Sequence, residues 1–457
     1  MHYTTINTLN DDIFLCIFSY YRLDDEKSWN AQLGWCKLFH VCQIWRHLIY
    51  ESAFYLGIHI RCTNGTPIVD TLDHLPTLPL VVDYQYAAAT ILSEQDELGI
   101  YHALRLRDRV RRIVLHLPPS TLHKFLMLMD ESFPILELLS LSFTVDKLTG
   151  LILPTTFLAP NLRYLTLSGV GLPKGFSLLS TVSLVTLALT NIRASRYFLP
   201  RQLVARLWSL PQLEKLTIEF SVPIPRPSAE RELLGKQGAP VTLPNLKYLT
   251  FQGVSAYLER LVSQIRTPLL ERLEITLFCQ IAFSLPHLSH LINMTEGLKL
   301  LAAKVFFWHD AVTIILGHHS TRGYDGPFVL RVICKELDWQ IDCAAQICSA
   351  LIPALSGVEE LTLEFLGKMM PTELQNGEID GTTWHELLRS FIGVNELRIC
   401  SALSEELSRA LQTDEIGSDL GLLHGLQEIQ FYGKREDNLF GSFIHARRVA
   451  GRPVRLR

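Results

Sequence analysis

Residues 162–167 read Leu-Arg-Tyr-Leu-Thr-Leu, and this Leu-x-x-Leu-x-Leu pattern recurs roughly every 22 to 36 residues from about residue 110 onward. Its apolar positions, counting close variants, are Val110, Ile113 and Leu115; Leu136, Leu139 and Leu141; Leu162, Leu165 and Leu167; Leu184, Leu187 and Leu189; Leu213, Leu216 and Ile218; Leu246, Leu249 and Phe251; Leu270, Leu273 and Ile275; Val358, Leu361 and Leu363; Val394, Leu397 and Ile399; and Leu426, Ile429 and Phe431. Repetition at this period predicts a solenoid, whose stacked units share one continuous core. Because a solenoid presents an extended surface, the pattern favours binding over catalysis.

The pattern resembles the leucine-rich-repeat family, which implies an α/β fold: a solenoid with a parallel β-sheet on its concave face. We place the repeats at residues 106–433, after a linker or solenoid cap at 56–105 and before a basic cap or tail at 434–457. The register is ambiguous around 296–336, where residues 329–334 (V-L-R-V-I-C) align in more than one way. The basic tail is typical of a terminal cap helix, with a nuclear address or an anion-binding tail as the alternative.

Strand alternation predicts which repeat residues face outward, since the spaced leucines must point into the core. These residues form the predicted substrate-binding face, and they are Tyr164, Thr166, Lys215, Glu219, Tyr248, Arg272, Glu274, Glu360, Glu364, Glu396 and Arg398. Acidic side chains outnumber basic ones on the last repeats, which favours a basic ligand. A merely solvated charged face is the alternative.

Composition narrows the class of protein. The 457 residues are 48% hydrophobic and carry a net charge of −4, so we expect a folded chain whose partner is neither nucleic acid nor membrane. The first twenty residues lack a signal-peptide pattern, and no apolar run approaches the ~20 residues that span a bilayer. Nine scattered cysteines indicate free thiols in a reducing compartment. We therefore expect the protein in the cytoplasm, the nucleus or both.

The amino-terminal segment predicts two amphipathic helices. In the first, at 9–21, Asn10 or Asp11 serves as the cap and four apolar residues share one face. The second, at about 35–50, has a stripe formed by Leu38, Val41, Cys42, Trp45, Leu48 and Ile49. This segment is too short to bury both apolar stripes by itself. We therefore expect a partner or the following domain to cover them.

This segment is similar to the F-box motif. The matching positions are Leu9, Asp12 (where the motif has Glu), Ile13, Ile17, Phe18, Ser19, Tyr20, Val41, Cys42, Trp45 and Arg46. Asn10 replaces the usual Pro, Phe14 replaces Leu, and the loop between the two halves is longer than usual. With repeats following it, the whole chain resembles the fungal set of F-box proteins with leucine-rich repeats.

That resemblance implies a function. An F-box domain at residues 1–55 would dock on a Skp-type adaptor, and through it on a cullin–RING ligase, while the repeats hold a protein substrate. The residues that the resemblance assigns to adaptor binding are Leu9, Ile13, Ile17, Phe18, Val41, Cys42 and Trp45. The chain would be the substrate-recognition subunit of an SCF-type E3 ubiquitin ligase. The alternative is a repeat scaffold without a ligase role, whose amino-terminal helices only cap the solenoid.

Motifs for catalysis or cofactor binding are missing from the sequence. It contains no phosphate-binding loop, dinucleotide fingerprint or nucleophile elbow. Cys334, Cys343 and Cys348 lack the close pairing of structural zinc sites, and His309, His318 and His319 lack the spacing of zinc proteases. We therefore predict a protein that is not an enzyme and needs no metal or cofactor.

Overall fold

A computed structural model of the protein describes residues 9–25, 36–53, 55–66, 72, 77–85, 92–143, 150–173, 182–223, 240–295, 298, 300–318, 326–367, 381–413, 422–432 and 437–457. The chain divides into two compact units, Met1–Leu184 and Val185–Arg457. This division falls inside the predicted repeat region. Within the described ranges, every helix is too short or too polar to cross a lipid bilayer.

The first unit combines five helices with five strands among its described residues. The helices are α1 (Asp11–Asp25), α2 (Cys36–Phe39), α3 (Gln43–Glu51), α4 (Glu94–Arg105) and α5 (Pro119–Leu126). The strands are β1 (Ile60–Cys62), β2 (Leu80–Gln85), β3 (Val110–Leu117), β4 (Leu138–Phe143) and β5 (Tyr164–Ser168), and they pair in this order, all parallel.

Side chains at the helix starts explain two helix boundaries. The Oδ1 atom of Asn10 accepts a hydrogen bond from the Ile13 N–H at 3.0 Å and so caps α1. Cys42 has an extended backbone, and its Sγ accepts from the Trp45 N–H at 3.5 Å at the start of α3. The single helix predicted at about 35–50 is therefore two helices, α2 and α3, because Cys42 interrupts the helical backbone between them.

Leucines of successive strands stack in register and form the core of the first unit. Ile113 lies beside Leu139, and Leu139 beside Leu165, with all three side chains buried. Burial of each such side chain stabilises the fold by about 1.5–3 kcal/mol. Each copy of the apolar pattern thus forms one strand and contributes one layer of the core.

The second unit contains eight helices and thirteen strands among its described residues. The helices are α6 (Pro200–Leu207), α7 (Ser255–Val262), α8 (Pro286–Met294), α9 (Leu337–Ala350), α10 (Ile352–Leu355), α11 (Gly381–Arg389), α12 (Ser404–Thr413) and α13 (Gly441–Val449). The strands are β6 (Thr186–Ile192), β7 (Lys215–Phe220), β8 (Val241–Thr242), β9 (Tyr248–Gly253), β10 (Ile265–Arg266), β11 (Arg272–Phe278), β12 (Ala302–Phe307), β13 (Ala311–Gly317), β14 (Phe328–Ile333), β15 (Glu360–Phe365), β16 (Glu396–Cys400), β17 (Glu428–Tyr432) and β18 (Arg455–Leu456).

The main sheet of this unit is parallel except at one strand. Its order is β6-β7-β9-β11-β14-β13-β12-β15-β16-β17-β18, and β13 runs antiparallel to both of its neighbours. Strands β8 and β10 form a separate parallel pair. The predicted α/β class with a largely parallel sheet is therefore confirmed.

Strand β13, the inverted strand of this sheet, explains why the register around 296–336 is ambiguous in the sequence. All seven residues of β13 are buried, as expected for a central strand covered on both faces. Such a strand is a continuous apolar run, so the alternation that marks the other strands is lost. Residues 329–334 belong to β14 and its end, with Phe328 aligned to Leu273 of β11.

The carboxy-terminal segment is integrated into this unit. Arg447 of α13 is buried, and its guanidinium donates to the carbonyls of Leu423, His424 and Leu426 at 3.1–3.2 Å. Strand β18 extends the sheet beside β17. These contacts give Arg447 a structural role, as in the cap interpretation, whereas the basic residues at 434–435 lie outside the described part of the chain.

Candidate functional site

The amino-terminal helices are held together by three aromatic rings. The Trp45 ring meets the edges of Phe14 and Phe18, with ring centroids 5.6 and 4.9 Å apart. Phe14 and Phe18 are buried, so this aromatic cluster forms the internal contact between α1 and α3. Phe18, which the F-box resemblance assigns to adaptor binding, therefore packs inside the chain, and Trp45 is half-buried beside it.

Large apolar side chains next to this cluster in sequence point into solvent. Ile13 and Ile17 are 45% and 44% exposed, and Tyr20 continues the same stripe of α1 at positions i, i+4 and i+7. Val41 is exposed just before the cap of α3, and Ile44 is exposed in its first turn. We call these five residues the apolar stripe. Ile13, Ile17 and Tyr20 lie along one face of α1, and exposed apolar side chains grouped on one face are typical of a surface that a partner covers.

The other residues assigned to adaptor binding lie beside the stripe in sequence. Leu9 is half-buried before α1, and Cys42 is exposed while its sulfur caps α3. The site list drawn from the sequence lacks Tyr20 and Ile44. Tyr20 lies one helical turn beyond Ile17, so helical spacing is the signal that finds it. Ile44 lies in the first turn of α3 beyond the Cys42 cap, and helical spacing from Val41 does not find it.

Tyr164 and Thr166 occupy the outward-facing positions of β5. Tyr164 pairs in register with Leu138 of β4, and its ring is exposed beside the Arg163 guanidinium, 5.8 Å from its centroid. Thr166 is half-buried opposite Ser140. The outward positions of β5 thus carry polar side chains and one aromatic ring.

A first polar patch in the second unit spans β7, β9 and β11. Lys215, Tyr248 and Arg272 stand in one row across the three strands, and the Arg272 Nε lies 2.5 Å from the Glu274 Oε1. Burial, and then the negative charge of Glu274, raise the pKa of Glu219. The register therefore brings together all five residues predicted on these strands.

A second polar patch spans β15, β16 and β17, and its charges are largely paired. Arg398 lies 2.6 Å from a carboxylate oxygen of Glu360 and 2.7 Å from one of Glu396. Glu360 is buried, so Arg398 compensates its charge. Burial raises the pKa of Glu364, and the nearby Lys304 opposes that shift. The acidic excess expected for a basic ligand is thus partly neutralised within the protein.

Strands β14, β13 and β12 lie between the two polar patches, and their outward face mixes polar and apolar side chains: Lys304 lies opposite Ile315, and Thr313 lies opposite Phe306. Phe306 of β12 and Ile315 of β13 lie on the same sheet face by register, and both are buried. Ile315 is closely packed, because a side chain at Gly326 would meet one of its methyl groups. The outward positions of β12 and β13 therefore carry both polar and apolar side chains between the two patches.

Three cysteines converge elsewhere in the second unit. The sulfur atoms of Cys279, Cys334 and Cys343 lie within 4.8 Å of one another. The sequence spacing considered above groups Cys334 and Cys343 with Cys348, whereas the fold replaces Cys348 with Cys279, which directly follows β11. Only the pairing of β11 with β14 could have revealed this cluster.

Comparison with models of known protein families gave no match, and comparison with curated proteins gave none either.

Proposed function

We propose that the protein is the substrate-recognition subunit of an SCF-type ubiquitin ligase, with an amino-terminal F-box and a leucine-rich-repeat solenoid. The F-box would bind a Skp-type adaptor, and the solenoid would bind the protein to be ubiquitinated. The proposal rests on the resemblance described above together with one structural observation. That observation is the apolar stripe, which remains exposed although Phe14 and Phe18 of the aromatic cluster beside it are buried.

The geometry of the helices supports adaptor binding through the stripe. If α1 and α3 only capped the parallel strands, their large apolar side chains should face this chain. Instead Ile13, Ile17 and Ile44 are 44–61% exposed. Covering such side chains with a partner contributes about 1.5–3 kcal/mol for each one fully buried. In this proposal the aromatic cluster sets the helix geometry, and the stripe makes the contact.

The outward sheet face supports protein binding without catalysis. Arg272 pairs with Glu274 and Arg398 pairs with Glu360, while Lys215, Tyr248 and Arg272 stand in one row across three strands, as suits a surface that contacts another protein. Ubiquitin transfer would then depend on proximity. The chain would hold a target near a conjugating enzyme carried by other subunits and so raise the effective concentration of its lysines.

Coexpression with a Skp-type adaptor tests the proposal. The full chain should co-purify with the adaptor, and the double variant Ile13→Asp, Ile17→Asp should lose it, because two carboxylates would be buried unpaired in the interface. The matched control is Leu98→Asp, at another exposed apolar position of the first unit. Circular dichroism of each variant verifies that the fold is retained.

The outcomes separate the proposal from a repeat scaffold without a ligase role. Adaptor capture by the wild type and by Leu98→Asp, but not by the double variant, supports the proposal. A folded wild-type chain that never binds the adaptor contradicts it and favours the scaffold. Equal capture of all three proteins contradicts the assignment of the apolar stripe.

A further inference from the structure

Strand pairing brings two cysteines to the same edge of the sheet. The last registered pair between β11 and β14 is Phe278 with Ile333, and Cys279 and Cys334 follow these residues directly. Because neighbouring parallel strands lie about 4.8 Å apart, consecutive residues beyond the pair stay side by side. Cys343 reaches the same point from α9, so three separate elements each contribute one thiol.

The separation of the sulfur atoms suits a metal ion. A tetrahedral ion with metal–sulfur bonds of about 2.3 Å holds its thiolates about 3.8 Å apart. The three sulfur atoms already lie within 4.8 Å of one another, so small side-chain rotations suffice. A disulfide would use only two of the thiols and leave the third without a role. Three convergent sulfur donors are instead the ligand type that thiophilic ions prefer.

Two glutamines hold the backbone around the cluster. The Gln340 Nε2 donates to the carbonyls of Trp308 and Cys334 at 2.8 and 2.9 Å, which fixes the end of β14 to α9. Gln346 fixes the chain after Cys279 in the same way: its Oε1 accepts from the Phe283 N–H at 3.2 Å. Both contacts are made by the helix that carries Cys343. These contacts hold the backbone segments that carry the three thiols.

Charge and access also favour a cation. Asp342 lies near the thiol of Cys279, and Glu336 and Asp338 lie near that of Cys334. Cys334 and Cys343 are buried, whereas Cys279 is exposed, so an ion can enter from the side of Cys279. That side also leaves room for a fourth ligand, either water or a carboxylate.

We propose that Cys279, Cys334 and Cys343 form a binding site for a thiophilic d10 cation such as Zn²⁺. The site is independent of the proposed ligase role. A bound ion would join β11, β14 and α9 at the place where the inverted strand interrupts the parallel order. Its effect would be to stabilise this irregular part of the sheet.

Zinc binding by the full chain, reduced and stripped of metal with a chelator, tests the site. Competition with a chromophoric chelator should give one Zn²⁺ per chain, and Co²⁺ should produce a sulfur-to-metal charge-transfer band. Cys334→Ser and Cys343→Ser should each weaken Zn²⁺ binding by at least about 100-fold, beyond the loss expected from altering an outer contact. The control Cys348→Ala, on the same helix but outside the cluster, should bind like the wild type.

A second measurement needs no variant. Zn²⁺ should slow alkylation of the exposed Cys279 in the wild-type chain, as followed by mass spectrometry of the peptide, while alkylation of the exposed Cys16 should not change. Wild-type binding no tighter than that of Cys334→Ser, or equal Cys279 alkylation with and without Zn²⁺, would overturn the proposal. So would a Cys334–Cys343 disulfide in the protein as isolated, because it would mark a redox pair.

Discussion

The amino-terminal helices and the parallel strands differ in how far their large apolar side chains are buried. In the strands the repeated leucines are buried in register, and the polar residues between them face outward. In α1 the rings of Phe14 and Phe18 are buried, but Ile13, Ile17 and Tyr20 remain in solvent, as does Ile44 of α3. The strands therefore complete their own core, whereas the helices retain a surface for something else to cover.

The largest effect should follow from removing a core ring of the strands. Phe251 is fully buried and stacks on Tyr257 with ring centroids 5.7 Å apart. Phe251→Ala should lower the free energy of unfolding by about 4 kcal/mol, because it removes apolar contacts and leaves a cavity. Urea denaturation measures this. A loss below about 1 kcal/mol would mean that the strands do not form the rigid core described here.

A smaller loss of stability is expected from breaking the ion pairs of the second polar patch. Arg398→Ala leaves the buried Glu360 without its cation and should cost about 2 kcal/mol, a value reduced by the partial exposure of Arg398. The control is Arg331→Ala, whose pair with Asp310 is exposed on both sides and should contribute less than about 1 kcal/mol. Equal losses would show that Glu360 needs no compensation.

The apolar stripe should contribute almost nothing to the stability of the isolated chain. Ile17→Ser removes an exposed side chain and should change the free energy of unfolding by no more than about 0.5 kcal/mol. The buried neighbour provides the contrast: Phe18→Ala should cost about 3 kcal/mol. If Ile17→Ser were as damaging as Phe18→Ala, the stripe would be part of the chain's own core.

The smallest expected effect is a change in the pH dependence of stability when Glu219 is replaced. Its pKa is raised above 4.5, so the folded state holds the proton more tightly than the unfolded state. The resulting stability is fully present below pH 4.5 and is lost as the pH rises through the raised pKa. Glu219→Gln should remove this decline, a change of about 0.5 kcal/mol or less.

Urea denaturation at several pH values measures that decline. The control is Glu271→Gln, at an exposed carboxylate just before β11, which should leave the wild-type profile intact. A profile for Glu219→Gln identical to that of the wild type would mean that Glu219 gives up its proton at the same pH in both states.

Much of the parallel sheet could be predicted from the sequence, because strands buried on one face alternate visibly. The alternation of Leu165 and Leu167 with polar residues predicts β5, and both leucines are buried. The same logic fails at β13, where Ala311–Gly317 is buried on both faces and shows no alternation. Which strand pairs with which is a long-range property, so β14 lying beside β11 could not be read from spacing.

The same limit applies to the candidate sites. Ile13 and Ile17 could be selected by helical periodicity, but periodicity does not tell whether Phe18 faces the chain or a partner. The ion pairs of Arg398 depend on strand register. The thiol cluster depends on Cys279 and Cys334, which are 55 positions apart in sequence but adjacent across two strands. Spacing motifs detect ligands that are close in sequence, and this cluster is not of that kind.

Calorimetric titration of the full chain with a purified Skp-type adaptor tests the central claim most directly. We expect a one-to-one complex with a negative heat-capacity change, since the apolar stripe is removed from water, and loss of the complex in Ile13→Asp, Ile17→Asp. A folded wild-type chain that gives no binding heat at several temperatures and no complex by size-exclusion chromatography would contradict the account.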